Sequence, residues 1–244
     1  MEYPPFDTDA NWYRLIPSRF PPVDLYKQLP PAARAAAPLL EEMTNPRLAS
    51  KVRLTGASAG VDVTSAQLQN WNHAPFAYRN PEGSYLLAPA FGVMEVAGNI
   101  EDALAIAIRR REIFLGRTAE PAMDLDMRVF ATPVHGRFLD LRSVPLDTPE
   151  EARWEIGRQI LEAGALGAVF HRPERPQSVF LAVFNTTPLG RTLQGNHYRF
   201  VWDGHVVRSV YDFGTGQEVL RSELLPHAEA VGRRHCETAR IGGF

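Results

Sequence analysis

Cysteine is nearly absent from this chain. Cys236 stands alone, so no internal disulfide and no cysteine-rich metal site can form, and a reducing compartment is expected. Charge of either sign is not in excess. Lys and Arg total 26 against 28 Asp and Glu, which removes any electrostatic reason to expect nucleic acid or an acidic membrane as a partner. Long apolar runs are lacking. The opening Met1-Glu2-Tyr3-Pro4-Pro5 carries neither the basic nor the apolar stretch of a secretory signal. Internal repeats and low-complexity tracts are missing too. The expectation is a cytoplasmic protein that binds neither membrane nor nucleic acid.

What is present suits one globular core. Of 244 residues 45% are hydrophobic, and no Ser/Gly linker or charge run divides them, so a single domain over 1–244 is expected. Residues 12–17 have the content of a short strand closed by proline, and the Ala-rich stretch 31–43 reads as helix. Segment 44–90 reads mostly as loop, with a strand at 51–55. A strand at 91–97 leads to Asn99, which caps a helix over 101–114 with its apolar set at helical spacing. Segments 126–134 and 137–141 read as a hairpin turning at His135-Gly136. A helix over 149–163 follows, capped by Thr148 and stopped by Gly164. Strands come next at 167–170, 179–184, 198–202 and 206–211. Helices and strands interleave without steady alternation, which predicts an α+β fold of mixed sheets with flanking helices.

Local motifs carry little chemistry. Gly56-Ala57-Ser58-Ala59-Gly60 matches the G-x-S-x-G elbow of a serine hydrolase, but Gly60-Val61-Asp62-Val63-Thr64 is a poor helix start, and a Gly/Ser turn is the simpler reading. Cys236 beside His235 makes a poor nucleophile pair, since adjacent side chains rarely converge on one atom. Gly214-Thr215-Gly216 lacks the third glycine of a dinucleotide fingerprint. The seven histidines are scattered, with no metal spacing. The run Arg109-Arg110-Arg111-Glu112 could hold phosphate, yet it reads as the solvated side of its helix.

Three separated stretches, taken in order, resemble the RES family. The first is Tyr13-Arg14-Leu15-Ile16-Pro17-Ser18-Arg19-Phe20-Pro21-Pro22 with Met43-Thr44-Asn45-Pro46-Arg47-Leu48. The second runs from Asn80-Pro81-Glu82-Gly83-Ser84 through Phe91-Gly92-Val93 to Glu120-Pro121 and Asp124-Leu125-Asp126-Met127-Arg128. The third joins Gly167-Ala168-Val169-Phe170 and Val183-Phe184 to the stretch His197-Tyr198-Arg199-Phe200-Val201-Trp202-Asp203-Gly204. Together they span about residues 12–205, leaving 206–244 as a C-terminal extension. The resemblance implies a fold similar to ADP-ribosyltransferase toxins and a bacterial, cytoplasmic protein. It also implies an Xre-type antitoxin partner, self-association, and NAD as substrate or ligand; no separate cofactor and, from the scattered histidines, no metal is expected.

Against that pattern the expected catalytic positions are changed. Where the family has arginine after Gly-Ser, this chain has Tyr85; where it has a strand tyrosine, Glu95; where it has a helix glutamate, Ile106; where it has a serine beyond the third motif, Arg172. Two readings follow. In the leading one the NAD-degrading chemistry is lost, because Ile106 cannot stabilise a cationic transition state, and the protein acts by binding a nucleotide-like ligand or a protein. In the other the chemistry has moved to Glu95, Arg172 and Tyr85, giving an NAD phosphorylase or glycohydrolase with a rearranged site. Arg14, Arg111 and Ser84 are the expected ligand contacts in either case. A serine hydrolase built on Ser58 is the remote third.

Overall fold

The computed structural model describes residues 3–18, 30, 65–66 and 69–226. The expected helix at 31–43, the strand at 51–55, Ser58, His235 and Cys236 lie outside the described residues.

Strand β1 (Pro5–Pro17) and strand β3 (Met123–Asp140) form the spine of the sheet. They pair antiparallel in one register from Pro5 opposite Leu139 to Pro17 opposite Met127. This overturns the expected hairpin at His135-Gly136. Phe130, Thr132, Val134 and Phe138 are all buried and all even-numbered, so one period-2 pattern runs straight through the supposed turn. Gly136 is needed for another reason. It sits in the strand at φ 139°, opposite Thr8, and a Cβ there would lie 2.9 Å from Leu166 Cδ1.

Helix α1 (Asn70–Ala77) precedes β2 (Met94–Ala97), and helix α2 (Ile100–Thr118) leads into β3. Helix α3 (Glu150–Glu162) joins β3 to β4 (Gly167–Arg172), the one parallel pairing among the described residues, since parallel neighbours need a crossover. Strands β5 (Arg175–Val183), β6 (Leu193–Trp202), β7 (Val207–Asp212) and β8 (Gln217–Leu220) follow, and a short helix α4 (Arg221–Leu224) comes last. One eight-stranded sheet results, in the order β1-β2-β5-β4-β3-β6-β7-β8. Among the described residues the strands form this one mixed sheet, and the content is α+β. Because β1 also pairs with β3, the strands β1, β2, β5, β4 and β3 close into a ring, from which β6, β7 and β8 extend. Strands β7 and β8, within the stretch read as a C-terminal extension, belong to this same sheet.

Helix α2 forms where the sequence marks it. Asn99, extended at φ −147°, accepts the Asp102 N–H at 2.8 Å through its side chain, and Ala119 ends the helix at φ 52°. Helix α3 starts without a side-chain cap; Thr148 instead donates its hydroxyl to the Pro145 carbonyl at 2.6 Å. Gly164, at φ 77°, does stop it. Helix α1 is a correction to the loop reading of 44–90. It contains Pro75 and has almost no apolar periodicity, so neither signal announces it. It docks through distant partners: Gln69 exchanges two hydrogen bonds with the Thr192 backbone, at 2.9 and 2.8 Å, Asn72 donates to the Gly190 carbonyl at 2.8 Å, and the Trp71 ring lies 5.0 Å from that of Phe130.

The core has three parts. Trp12, Met94, Val96, Phe138, Val169 and Leu181 come from the five ring strands. Ala103, Ile106 and Ile160 pack α2 and α3 against Ala97, Phe170 and Phe180. Leu104, Ile108 and Leu115 press the other flank of α2 onto β3, β6 and β7. Truncating a fully buried residue such as Ile108 to Ala would cost about 2–5 kcal/mol.

Candidate functional site

Ala103, Ile106, Ala107 and Arg110 recur on α2 at the spacing i, i+3, i+4, i+7, so they share the stripe that faces the sheet. The first three are small or apolar and leave room. The fourth brings a guanidinium over the middle of β2, where Glu95 stands. Arg172, at the end of β4, and Arg14, on β1, complete the wall of a narrow cleft.

Glu95 is the centre of this cleft. Its side chain is 4% exposed, and both oxygens are engaged. Oε1 accepts the Tyr85 backbone N–H at 2.6 Å. Oε2 accepts from Arg172 at 3.2 Å and also from Arg110. Burial pushes the carboxyl pKa up, but Arg110, Arg172 and the Tyr85 amide together outweigh it and hold the group below its ordinary value. Burial likewise opposes the charge on Arg172, yet Glu95 and Glu174 raise its pKa overall. Glu95 is an anion clamped between two cations.

Arg14 is in the opposite situation. Among the described residues it has no carboxylate partner; it donates to the Trp71 carbonyl, a neutral group. That carbonyl is available because its helical partner would be the N–H of residue 75, and Pro75 has none. The Nε of Arg14 is buried with no acceptor. Desolvation, with the nearby charge of Arg110, lowers its pKa to about 10.

Tyr85 lies beside the ion cluster. Its ring stacks on Phe170 at 4.8 Å and 7°, and the guanidinium carbons of Arg153 and Arg172 lie 4.2 and 4.8 Å from its centroid. The segment is pinned from α3: Trp154 donates its indole N–H to the Ser84 carbonyl at 2.9 Å, and Arg153 donates to the Tyr85 carbonyl at 3.2 Å. Gly157 lets α3 approach this closely, since a Cβ on it would fall 1.8 Å from the Leu86 carbonyl oxygen.

The structure therefore brings Glu95, Arg172, Tyr85 and Arg14 together, with Ile106 in the same wall. Ser84 and Arg111 are placed elsewhere. The Ser84 hydroxyl accepts the Leu87 N–H at 2.9 Å and closes a turn. The Arg111 guanidinium stacks over the Phe114 ring at 5.4 Å. Arg110 is the residue that the sequence reading misplaced on the solvated side. Extending the apolar stripe one step, from Ala103 to i+7, would have found it.

About 30 Å³ of space remains between these side chains, room for a water molecule or two and far too little for a dinucleotide. A wider depression of about 270 Å³ lies apart, lined by Pro4, Asp140, Arg142, Ser143 and His171, with Arg142 already paired to Asp140 at 2.6 Å. Among the described residues no cluster of His, Cys, Asp or Glu could hold a metal ion, and no helix is long and apolar enough to cross a membrane. The cleft can do two things chemically: neutralise a carboxylate, and hold an anion on guanidinium groups.

The chain is 44% identical over 220 residues to y4oC of Sinorhizobium fredii, a protein described as uncharacterized, covering 90% of this chain and 94% of that one. The chain belongs to the y4oC family. No protein-family model matches this y4oC-family chain. Among solved structures it is similar to the crystal structure of the M. tuberculosis MbcT–MbcA toxin–antitoxin complex. That match has 11% identity and a TM-score of 0.40 over 78% of this chain and 86% of the other, a similarity too distant to bear on fold or function.

Proposed function

We propose that this protein is a divergent RES-type protein that has lost the NAD-degrading reaction and acts by binding an anionic, nucleotide-like ligand or a protein. One observation carries this reading: the acid in the cleft, Glu95, has both oxygens occupied by Tyr85, Arg110 and Arg172. A carboxylate that stabilises an oxocarbenium-like transition state must face the sugar with its charge available. Glu95 does not, and Ile106 stands where the resemblance would put the working glutamate. The arginines, in contrast, suit a phosphate or carboxylate group. The RES resemblance brings with it an Xre-type antitoxin as the protein partner.

A second reading has its own observation. Glu95, Arg172 and Tyr85 come from three separate segments and meet at one point, as a rearranged NAD phosphorylase or glycohydrolase requires. In that case Glu95 must shed Arg110 and Arg172 before it can act. Calorimetric titration with NAD, followed by recovery of the nucleotide, separates the two. The first reading expects intact NAD; the second expects nicotinamide and an ADP-ribose product.

A further inference from the structure

Every cation in the cleft is held by a placeholder. Arg110 and Arg172 share the Glu95 carboxylate, and Arg14 rests on a peptide carbonyl that Pro75 leaves vacant. Glu174, 3.7 Å from Arg172 Nε, adds the second carboxylate. Among the described residues, three guanidinium groups against two carboxylates leave one positive charge, and it falls on Arg14. A neutral carbonyl is a weak partner for a desolvated guanidinium, because bonds to a charged acceptor are roughly twice as strong. The grip on Glu95 is also uneven. The Arg172 side chain is 13% exposed and fixed over Tyr85, whereas that of Arg110 is 41% exposed and can swing outward without disturbing the core.

We propose that the cleft is an anion site held shut by its own carboxylate: a phosphate or carboxylate group of a ligand docks on Arg14, draws Arg110 away from Glu95, and leaves Glu95 on Arg172 as the fixed counter-ion. The idea deepens the binding reading above and rests on it. Wild-type affinity is then the difference between the incoming anion and the placeholders it displaces, so removing the built-in carboxylate tightens binding. Arg14, released from Trp71, also frees an α1 carbonyl whose helical donor Pro75 removes. Occupation of the cleft is thereby coupled to the docking of that helix.

The test is titration of full-length protein with inorganic phosphate and with ADP, followed by calorimetry, for wild type, Glu95→Gln and Arg14→Gln. Binding of either anion at least ten-fold tighter to Glu95→Gln, and at least ten-fold weaker to Arg14→Gln, is expected. A preference for phosphate alone or for ADP supports the site in both cases and tells whether a free oxyanion or a nucleotide fills it. No gain in a folded Glu95→Gln overturns the counter-ion role. Should that variant fail to fold, Arg14→Gln decides alone, and wild-type affinity in it overturns the proposal. Nicotinamide release, scored in parallel samples with NAD, reports separately on the non-cleaving reading.

Discussion

Glu95 and Arg172, 77 positions apart in sequence, meet at 3.2 Å in the cleft between α2 and the sheet. Neither residue type stands where the RES pattern would have it, yet the two are complementary and desolvated together. The pairing explains how the cleft tolerates Ile106: the apolar side chain packs against the sheet while the charge balance is carried from β2 and β4. It also sets most of the expectations below.

Glu95→Gln removes the charge between two guanidinium groups and is expected to cost about 3–5 kcal/mol in urea unfolding, because an uncompensated buried charge is left behind. Glu95→Leu combined with Arg172→Met should cost clearly less than either change alone. Additive losses would show that the pair is not coupled.

Stability should also depend on pH through the same group. The folded pKa of Glu95 lies below its ordinary value of 4.5, so its ionised form contributes stability above that pH, which is lost as pH falls through the folded value. In acid titration the stabilities of wild type and Glu95→Gln should therefore begin to draw together below about pH 4.5 and meet only below the folded value. Parallel curves would contradict a clamped carboxylate.

Arg14→Met is expected to behave in the opposite sense to Glu95→Gln. It removes an unmatched guanidinium whose desolvation is unfavourable, and sacrifices only the bond to Trp71, worth about 1 kcal/mol. Unfolding midpoints at or above wild type are expected, together with loss of anion binding. A loss of more than about 2 kcal/mol would mark Arg14 as a structural support instead.

Gly157→Ala tests the link between α3 and the Tyr85 segment. With 1.8 Å to the Leu86 carbonyl oxygen, the new methyl group must push the segment away, at a cost of about 1–3 kcal/mol or more. The Tyr85 amide bond to Glu95 should break with it. An unchanged Tyr85 environment, read by tyrosine fluorescence or NMR, would show that the segment is not held from α3.

Much of this was legible in the sequence where local chemistry decides. Asn99 announced α2, Gly164 ended α3, and most of the strands appeared where branched and aromatic residues gather. Glu95, Arg172 and Tyr85 were singled out by their departure from the family pattern. What escaped notice depends on distant partners. His135-Gly136 looks like a turn until β1 supplies thirteen residues to pair through it. Helix α1 is stabilised by Thr192 and Gly190, more than a hundred residues away, so its own sequence carries little signal. Ring closure through β1 and β3 has no local signature at all. Arg110 was the avoidable omission, since the helical stripe itself pointed to it.

The central claim is that this cleft holds an anion and does not cut NAD. Its most direct test is to incubate purified protein with NAD and phosphate and follow nicotinamide by chromatography, alongside Glu95→Gln. No nicotinamide above the protein-free control is expected for either protein. Turnover by wild type that disappears in Glu95→Gln would contradict the account and establish Glu95 as a working acid.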